Sequence, residues 1–194
     1  MENDYLVLVN KTNECPNFLD FEIVDVHSRY ADNRSAEIET FKAFKLLQSY
    51  AKACGFDMDI VSGYRSKERQ QRIFNNIAAK KGKDYAQKFV AMPGYSEHQT
   101  GLALDVCMYL EDWFFVEHGL PENFKEFLQK NIYKYGFILR YPDGKENITG
   151  YNHEPWHIRY INDTELAKYI YEHNLCLEEY LELKKEKPKM KTLK

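Results

Sequence analysis

From Leu102 to Val106 the chain alternates, with Leu102, Leu104 and Val106 on one face and Ala103, Asp105 and Cys107 on the other. A period of two is the mark of a half-buried strand, and this one turns an aspartate away from its leucines. A strand needs partners, so the short apolar runs elsewhere become its candidate neighbours. Ile60-Val61, ending at Gly63, reads as a buried strand, as do Phe137 to Tyr141 before the turn Pro142-Asp-Gly144 and Trp156 to Tyr160.

Helical spacing accounts for the rest. Ile38, Phe41, Phe44, Leu47, Ala51 and Cys54 keep a three-to-four period, which predicts a helix from near Ser35 to Gly55. Ser66 is a candidate cap for a helix through Gln70, Ile73, Phe74 and Ile77 to Gly82. Pro121 opens a third, which buries Phe124, Phe127, Leu128, Ile132 and Tyr135 and stops at Gly136. Asp163 caps another from Thr164 to about His173, and Leu177 to Lys185 forms the last. Helices lead, short strands gather in the middle and helices close the chain. This order predicts an α+β fold, with a small, largely antiparallel sheet flanked by helices, rather than regular βαβ winding.

A length of 194 residues suits one domain, and no repeat or linker divides it before the lysine-rich stretch 184–194. The expected organisation is a domain over 1–183 and a solvated tail, whose six lysines suggest a frayed terminus. A formal net charge of -3 provides no electrostatic footprint for nucleic acid. Leu6 to Val9 is only four apolar residues, preceded by Glu2 and Asp4 where a secretory signal would be basic. No run approaches the roughly 20 apolar residues of a membrane span. The four cysteines lie far apart without a CxxC pair, so they read as reduced, mostly buried thiols. The expectation is a cytoplasmic protein with neither a membrane nor a nucleic-acid partner.

Two segments carry chemistry: Pro93 to Asp105, containing Ser96, His98 and Asp105, and Glu154-Pro-Trp-His157-Ile-Arg-Tyr160. They supply two imidazoles and a carboxylate, with a further carboxylate beside them. Hydrolytic zinc sites use three such ligands and keep the fourth position open, with a nearby carboxylate as general base. The spacing alone is a loose pattern. Strand parity would set Glu154 and His157 on opposite faces, so a bend at Pro155 is required if both are to face one metal. His27, His118, His153 and His173 read as structural. No G-x-S-x-G elbow surrounds Ser96, which disfavours a serine nucleophile.

The combination of Ser62-Gly-Tyr-Arg65-Ser66, Ser96-Glu-His98-Gln-Thr-Gly101-Leu-Ala-Leu-Asp105 and Glu154-Pro-Trp-His157-Ile-Arg-Tyr160 resembles the VanY-type zinc D-alanyl-D-alanine carboxypeptidases. It is most similar to the VanXY branch, which joins dipeptidase and carboxypeptidase activity. The likeness runs from about Ile60 to Leu183 and implies a Hedgehog/D-Ala-D-Ala-peptidase-like fold. It implies Zn2+ held by His98, Asp105 and His157, with Glu154 as general base and Arg65 polarising the scissile carbonyl. Gln70 and Ser96 match substrate-binding positions; Ser62 completes that set, standing where the VanXY pattern has Asp. The implied substrates are small peptides, D-Ala-D-Ala and muramyl-pentapeptide precursors, with a role in vancomycin-type resistance. Two alternatives stay open: cleavage of another peptidoglycan bond, such as an L,D or endopeptidase linkage, and a non-catalytic zinc domain.

Overall fold

A computed structural model describes residues 4–17, 19–29, 34–110, 113–115 and 119–186. Its centre is the alternating strand, which extends as β4, Ala103–Leu110. β3 (Asp57–Ser62) pairs with it antiparallel on one side. On the other side β7 (His157–Tyr160) pairs antiparallel with both β4 and β6 (Phe137–Leu139). A short β5 (Trp113–Phe115) pairs antiparallel with the far end of β4. A second, two-stranded sheet joins β1 (Ile23–Val26) to β2 (Arg34–Glu37).

The alternation read in β4 sorts the two faces of the sheet. Leu104, Val106 and Met108 enter the main core with Ile60, Phe137 and Ile158, beneath Phe44 and Leu47 of α1 (Ile38–Ala53) and Phe124 and Leu128 of α4 (Glu122–Asn131). Burying such side chains is worth about 1.5–3 kcal/mol each. The opposite face carries Asp105, His157 and Arg159, because Asp105 pairs with His157 and Ala103 with Arg159. Ile138, on that same face of β6, joins a second cluster with α6 (Thr164–Glu172) and α7 (Leu177–Glu186).

Most expected elements appear, with one clear correction. The first helix does not begin near Ser35, since Arg34–Glu37 is extended and pairs with Ile23–Val26. Glu37 caps the helix, its carboxylate accepting the Glu39 and Thr40 N–H groups at 3.0 and 2.7 Å. Ser66 caps α2 (Lys67–Lys81) as expected, accepting from Arg69 N–H at 3.2 Å. Asp163 likewise caps α6. The third helix is α-helical to Asn131 and tightens to 3₁₀ over Ile132–Tyr135 before a left-handed Gly136. Lys83–Phe89 (α3) and the single turn Glu146–Thr149 (α5) were not legible as helices. Of the lysine-rich stretch, Lys184 and Lys185 belong to α7, while 187–194 lies outside the described residues, as does His118. Cys15, Cys107 and Cys176 are buried and unpaired, and Cys54 is exposed. Among the described residues no helix is long and apolar enough to cross a membrane.

Candidate active site

β3 ends at Ser62, and the following Gly63 passes so close to the Ser35 carbonyl that a side chain would collide with it. The Gly63 carbonyl accepts from Nδ1 of His98 at 2.8 Å, and the His98 carbonyl accepts from Arg65 N–H at 2.9 Å. His98 itself lies in a 3₁₀ turn, Glu97–Thr100, closed by a left-handed Gly101. With Nδ1 engaged, Nε2 of His98 faces Asp105 Oδ2 at 3.1 Å.

The bend required at Pro155 is present. His157 N–H donates to the Glu154 carbonyl at 3.1 Å, closing a turn over Pro155 and Trp156 before β7 begins. Glu154 N–H is tied to the Tyr141 carbonyl at 3.1 Å. The turn cancels strand parity: the Glu154 carboxylate comes to 3.7 Å from Nδ1 of His157. That same Nδ1 meets Asp105 Oδ1 at 3.0 Å.

One ligand atom each from His98, Asp105 and His157 therefore converges, all within 4.8 Å of one another. In each imidazole the nitrogen that does not face Asp105 has its own partner, so the nitrogen on the Asp105 side is the one each ring can offer a metal on losing its proton. Two nitrogens and a carboxylate oxygen form a donor set that suits zinc.

The electrostatics follow from this crowding. Burial works against ionising Asp105, but His98 and His157 outweigh it and hold the carboxyl well below the usual range. Burial pushes His98 down. It works the same way on His157, where hydrogen bonds to Asp105 and Glu97 reverse it and push the ring up to about 9. Arg65 is lowered by burial, partly countered by Asp105, whose Oδ2 lies 3.8 Å from the guanidinium.

A cleft of about 320 Å³ opens over this cluster, within the size range of small-ligand sites. Arg65, Gln70, Ser96, His98, Asp105, Glu154 and His157 all line it. Ser62 is not among the lining residues; its hydroxyl sits behind Arg65 and accepts from the guanidinium at 2.9 Å. Gln70 accepts from the other guanidinium nitrogen at 2.9 Å and donates to the Ala91 carbonyl at 2.7 Å. Arg65 is thus held from both sides. Ile73, Ile77 and Ala91 form an apolar wall, and Tyr141, Tyr151 and Trp156 an aromatic one.

A further residue of the site, Glu97, is not legible as functional in the sequence. Its side chain is fully buried, with Oε1 accepting from Nε of Arg140 at 2.7 Å and from Arg159 at 2.6 Å. Burial would raise its pKa, but the two guanidiniums hold it well below the carboxylate range. The signal was present in Arg140 and Arg159, charges set within apolar strands that need a buried counter-ion.

Hydrolytic zinc sites are built from three such ligands with a carboxylate base beside them, and that is the class of protein this arrangement fits. The family model for VanY, the D-alanyl-D-alanine carboxypeptidases, matches residues 33–163, more than half of the chain, and the chain belongs to this family. YodJ of Bacillus subtilis (strain 168) is 42% identical over 183 residues, covering 91% of this chain and 67% of YodJ. A D-alanyl-D-alanine carboxypeptidase of Enterococcus faecalis is 38% identical over 189 residues, 93% of this chain and 66% of the relative. The chain therefore spans about two thirds of the length of these relatives. Among solved structures, the LD-carboxypeptidase LdcB superposes with a TM-score of 0.82 at 41% identity, covering 92% of this chain and 86% of LdcB. VanYB bound to D-alanine-D-alanine superposes at 0.79 and 36%, covering 92% of this chain and 97% of VanYB. A VanY from a VanB-type resistance cassette, solved with Zn(II), has the same TM-score and identity.

Proposed function

We propose that this chain removes the terminal D-alanine from peptidoglycan peptides, with acyl-D-Ala-D-Ala ends and free D-Ala-D-Ala as substrates. One observation carries the reading: a base-competent carboxylate, Glu154, and a braced guanidinium, Arg65, line one cleft together with the His98, Asp105 and His157 triangle. A purely structural metal site needs neither. The co-crystallisation of VanYB with D-alanine-D-alanine supports the substrate class.

When bound by His98, Asp105 and His157, zinc supplies Lewis-acid polarisation and lowers the pKa of water. Glu154 takes the proton of the attacking water and passes it to the leaving D-alanine amine. Arg65 meets the negative charge that develops on the scissile carbonyl oxygen. Its orientation is fixed beforehand by Ser62 and Gln70, so no reorganisation is required at that moment. Ser96 and Gln70 line the same cleft, Gln70 in contact with Arg65, and are assigned to the substrate's terminal carboxylate. The apolar wall on α2 receives a methyl side chain.

A D-alanine release assay, with and without chelator, tests the assignment. D-Ala-D-Ala and a pentapeptide precursor should both yield D-alanine, and chelator should abolish it. No release from either would end the reading. A second reading, cleavage of an L,D bond, draws on the 41% identity to LdcB. A tetrapeptide ending in L-Lys-D-Ala in the same panel separates the two.

We further propose a cytoplasmic location, supported by four unpaired cysteines, three of them buried. There the enzyme would deplete the termini that vancomycin-type antibiotics bind. Fractionation of expressing cells tests the location. Equal kcat/KM for D-Ala-D-Ala and D-Ala-D-Ser would remove the resistance role, because an alternative terminus must be spared.

A further inference from the structure

Glu97 has two carboxylate oxygens with different work. Oε1 takes both guanidiniums, Arg140 Nε at 2.7 Å and Arg159 at 2.6 Å. Oε2 faces Nε2 of His157 at 3.4 Å. Were Glu97 present only to neutralise two buried arginines, the simplest arrangement would give each arginine its own oxygen. Crowding both onto Oε1 leaves Oε2 for the imidazole.

Both arginines are anchored by further hydrogen bonds. Both terminal nitrogens of Arg140 also donate to Glu178 of α7, at 2.7 and 2.8 Å. Arg159 donates to the carbonyls of Tyr5 and Val7 at 3.0 and 2.9 Å and to that of Tyr160 at 3.1 Å. Both guanidiniums and the Glu97 carboxylate are without solvent exposure. Two of the groups that fix them, Glu178 and the 5–7 segment, lie outside the stretch 33–163 matched by the family model.

We propose that Glu97 is a positioning residue for the metal centre, holding the Nε2–H tautomer of His157 so that Nδ1 presents its lone pair beside Asp105. The inference rests on the metal site proposed above. One 3₁₀ turn thereby supplies a ligand, His98, and the group that orients the other ligand. The two imidazoles are held differently: His98 by a neutral backbone carbonyl, His157 by a buried carboxylate locked between two arginines. Outer partners of this kind are worth about 10–100-fold in metal affinity.

The test compares zinc affinity of the wild-type chain and E97Q, by competition with a chromophoric chelator, alongside circular dichroism and melting of both metal-free proteins. A folded E97Q should bind zinc about 10–100-fold more weakly. A folded E97Q with lowered melting temperature but wild-type zinc affinity would overturn the proposal, since that is what neutralisation alone predicts. If E97Q does not fold, long-range 1H–15N spectra of the zinc-loaded wild type decide. A proton on Nε2 of His157 supports the proposal, and one on Nδ1 overturns it. A wild-type chain that binds no zinc would overturn the metal reading itself, and this inference with it.

Discussion

The backbone N–H of His157 donates to the carbonyl of Glu154 at 3.1 Å, and the turn it closes brings the Glu154 carboxylate within 3.7 Å of the His157 ring. Three residues apart on a straight strand, these side chains would point to opposite faces. The turn at Pro155 makes them neighbours at one site, which allows their contributions to be separated.

Glu154→Gln preserves shape and cannot accept a proton. Zinc content by elemental analysis should match wild type, while turnover falls by at least about 10²-fold. Near-normal turnover would shift the base to another group, His153 first.

His157→Ala removes one of three converging ligand atoms. Purified protein should carry well under one zinc per chain. Full occupancy would refute the His98, Asp105 and His157 assignment.

Arg65→Lys retains a charge but not the fork that reaches Gln70 and Ser62 together. The expected loss is about 10²-fold or more in kcat, with a smaller change in KM. A rise in KM alone would assign Arg65 to ground-state binding instead.

Glu178→Ala deprives the fully buried Arg140 of two charged hydrogen bonds. Stripping one partner from a buried pair costs about 3–5 kcal/mol. At about 2–4 °C per kcal/mol for a chain this size, melting should fall by roughly 10 °C. Glu182→Ala on the same helix, where the side chain is 65% exposed, should stay within about 0.5 kcal/mol of wild type. Equal effects from the two would mean that α7 is destabilised generally rather than through Arg140.

Much of this architecture was legible because its signals are local. The Leu102 to Val106 alternation placed Asp105 on the correct face, and Ser66 and Asp163 announced helix starts by their own capping chemistry. The β1–β2 pairing was not legible: helical spacing carries the start of α1 back to near Ser35, whereas the cap is Glu37, whose carboxylate also accepts from Tyr5 at 3.1 Å. Only tertiary contacts settle that choice. Glu97 escaped for a related reason. Beside His98 it reads as a surface charge, and its arginine partners lie 43 and 62 residues further along the chain. Ser62 was assigned to the substrate from its motif, but its distance from the cleft wall depends on how Arg65 folds back over it.

The pairing of Asp105 with His157 across β4 and β7 has a consequence for how this protein tolerates change. Two ligands on adjacent strands agree only in one register, because a slip of a single residue turns a side chain to the other face. Inserting or deleting one residue within either strand would therefore abolish metal capture, even where the apolar pairing could be repaired. Length variation among homologues should be confined to connections that carry no site residue, such as the turn at Pro142-Asp-Gly144. Zinc uptake during refolding would then serve as a direct readout of correctly aligned strands.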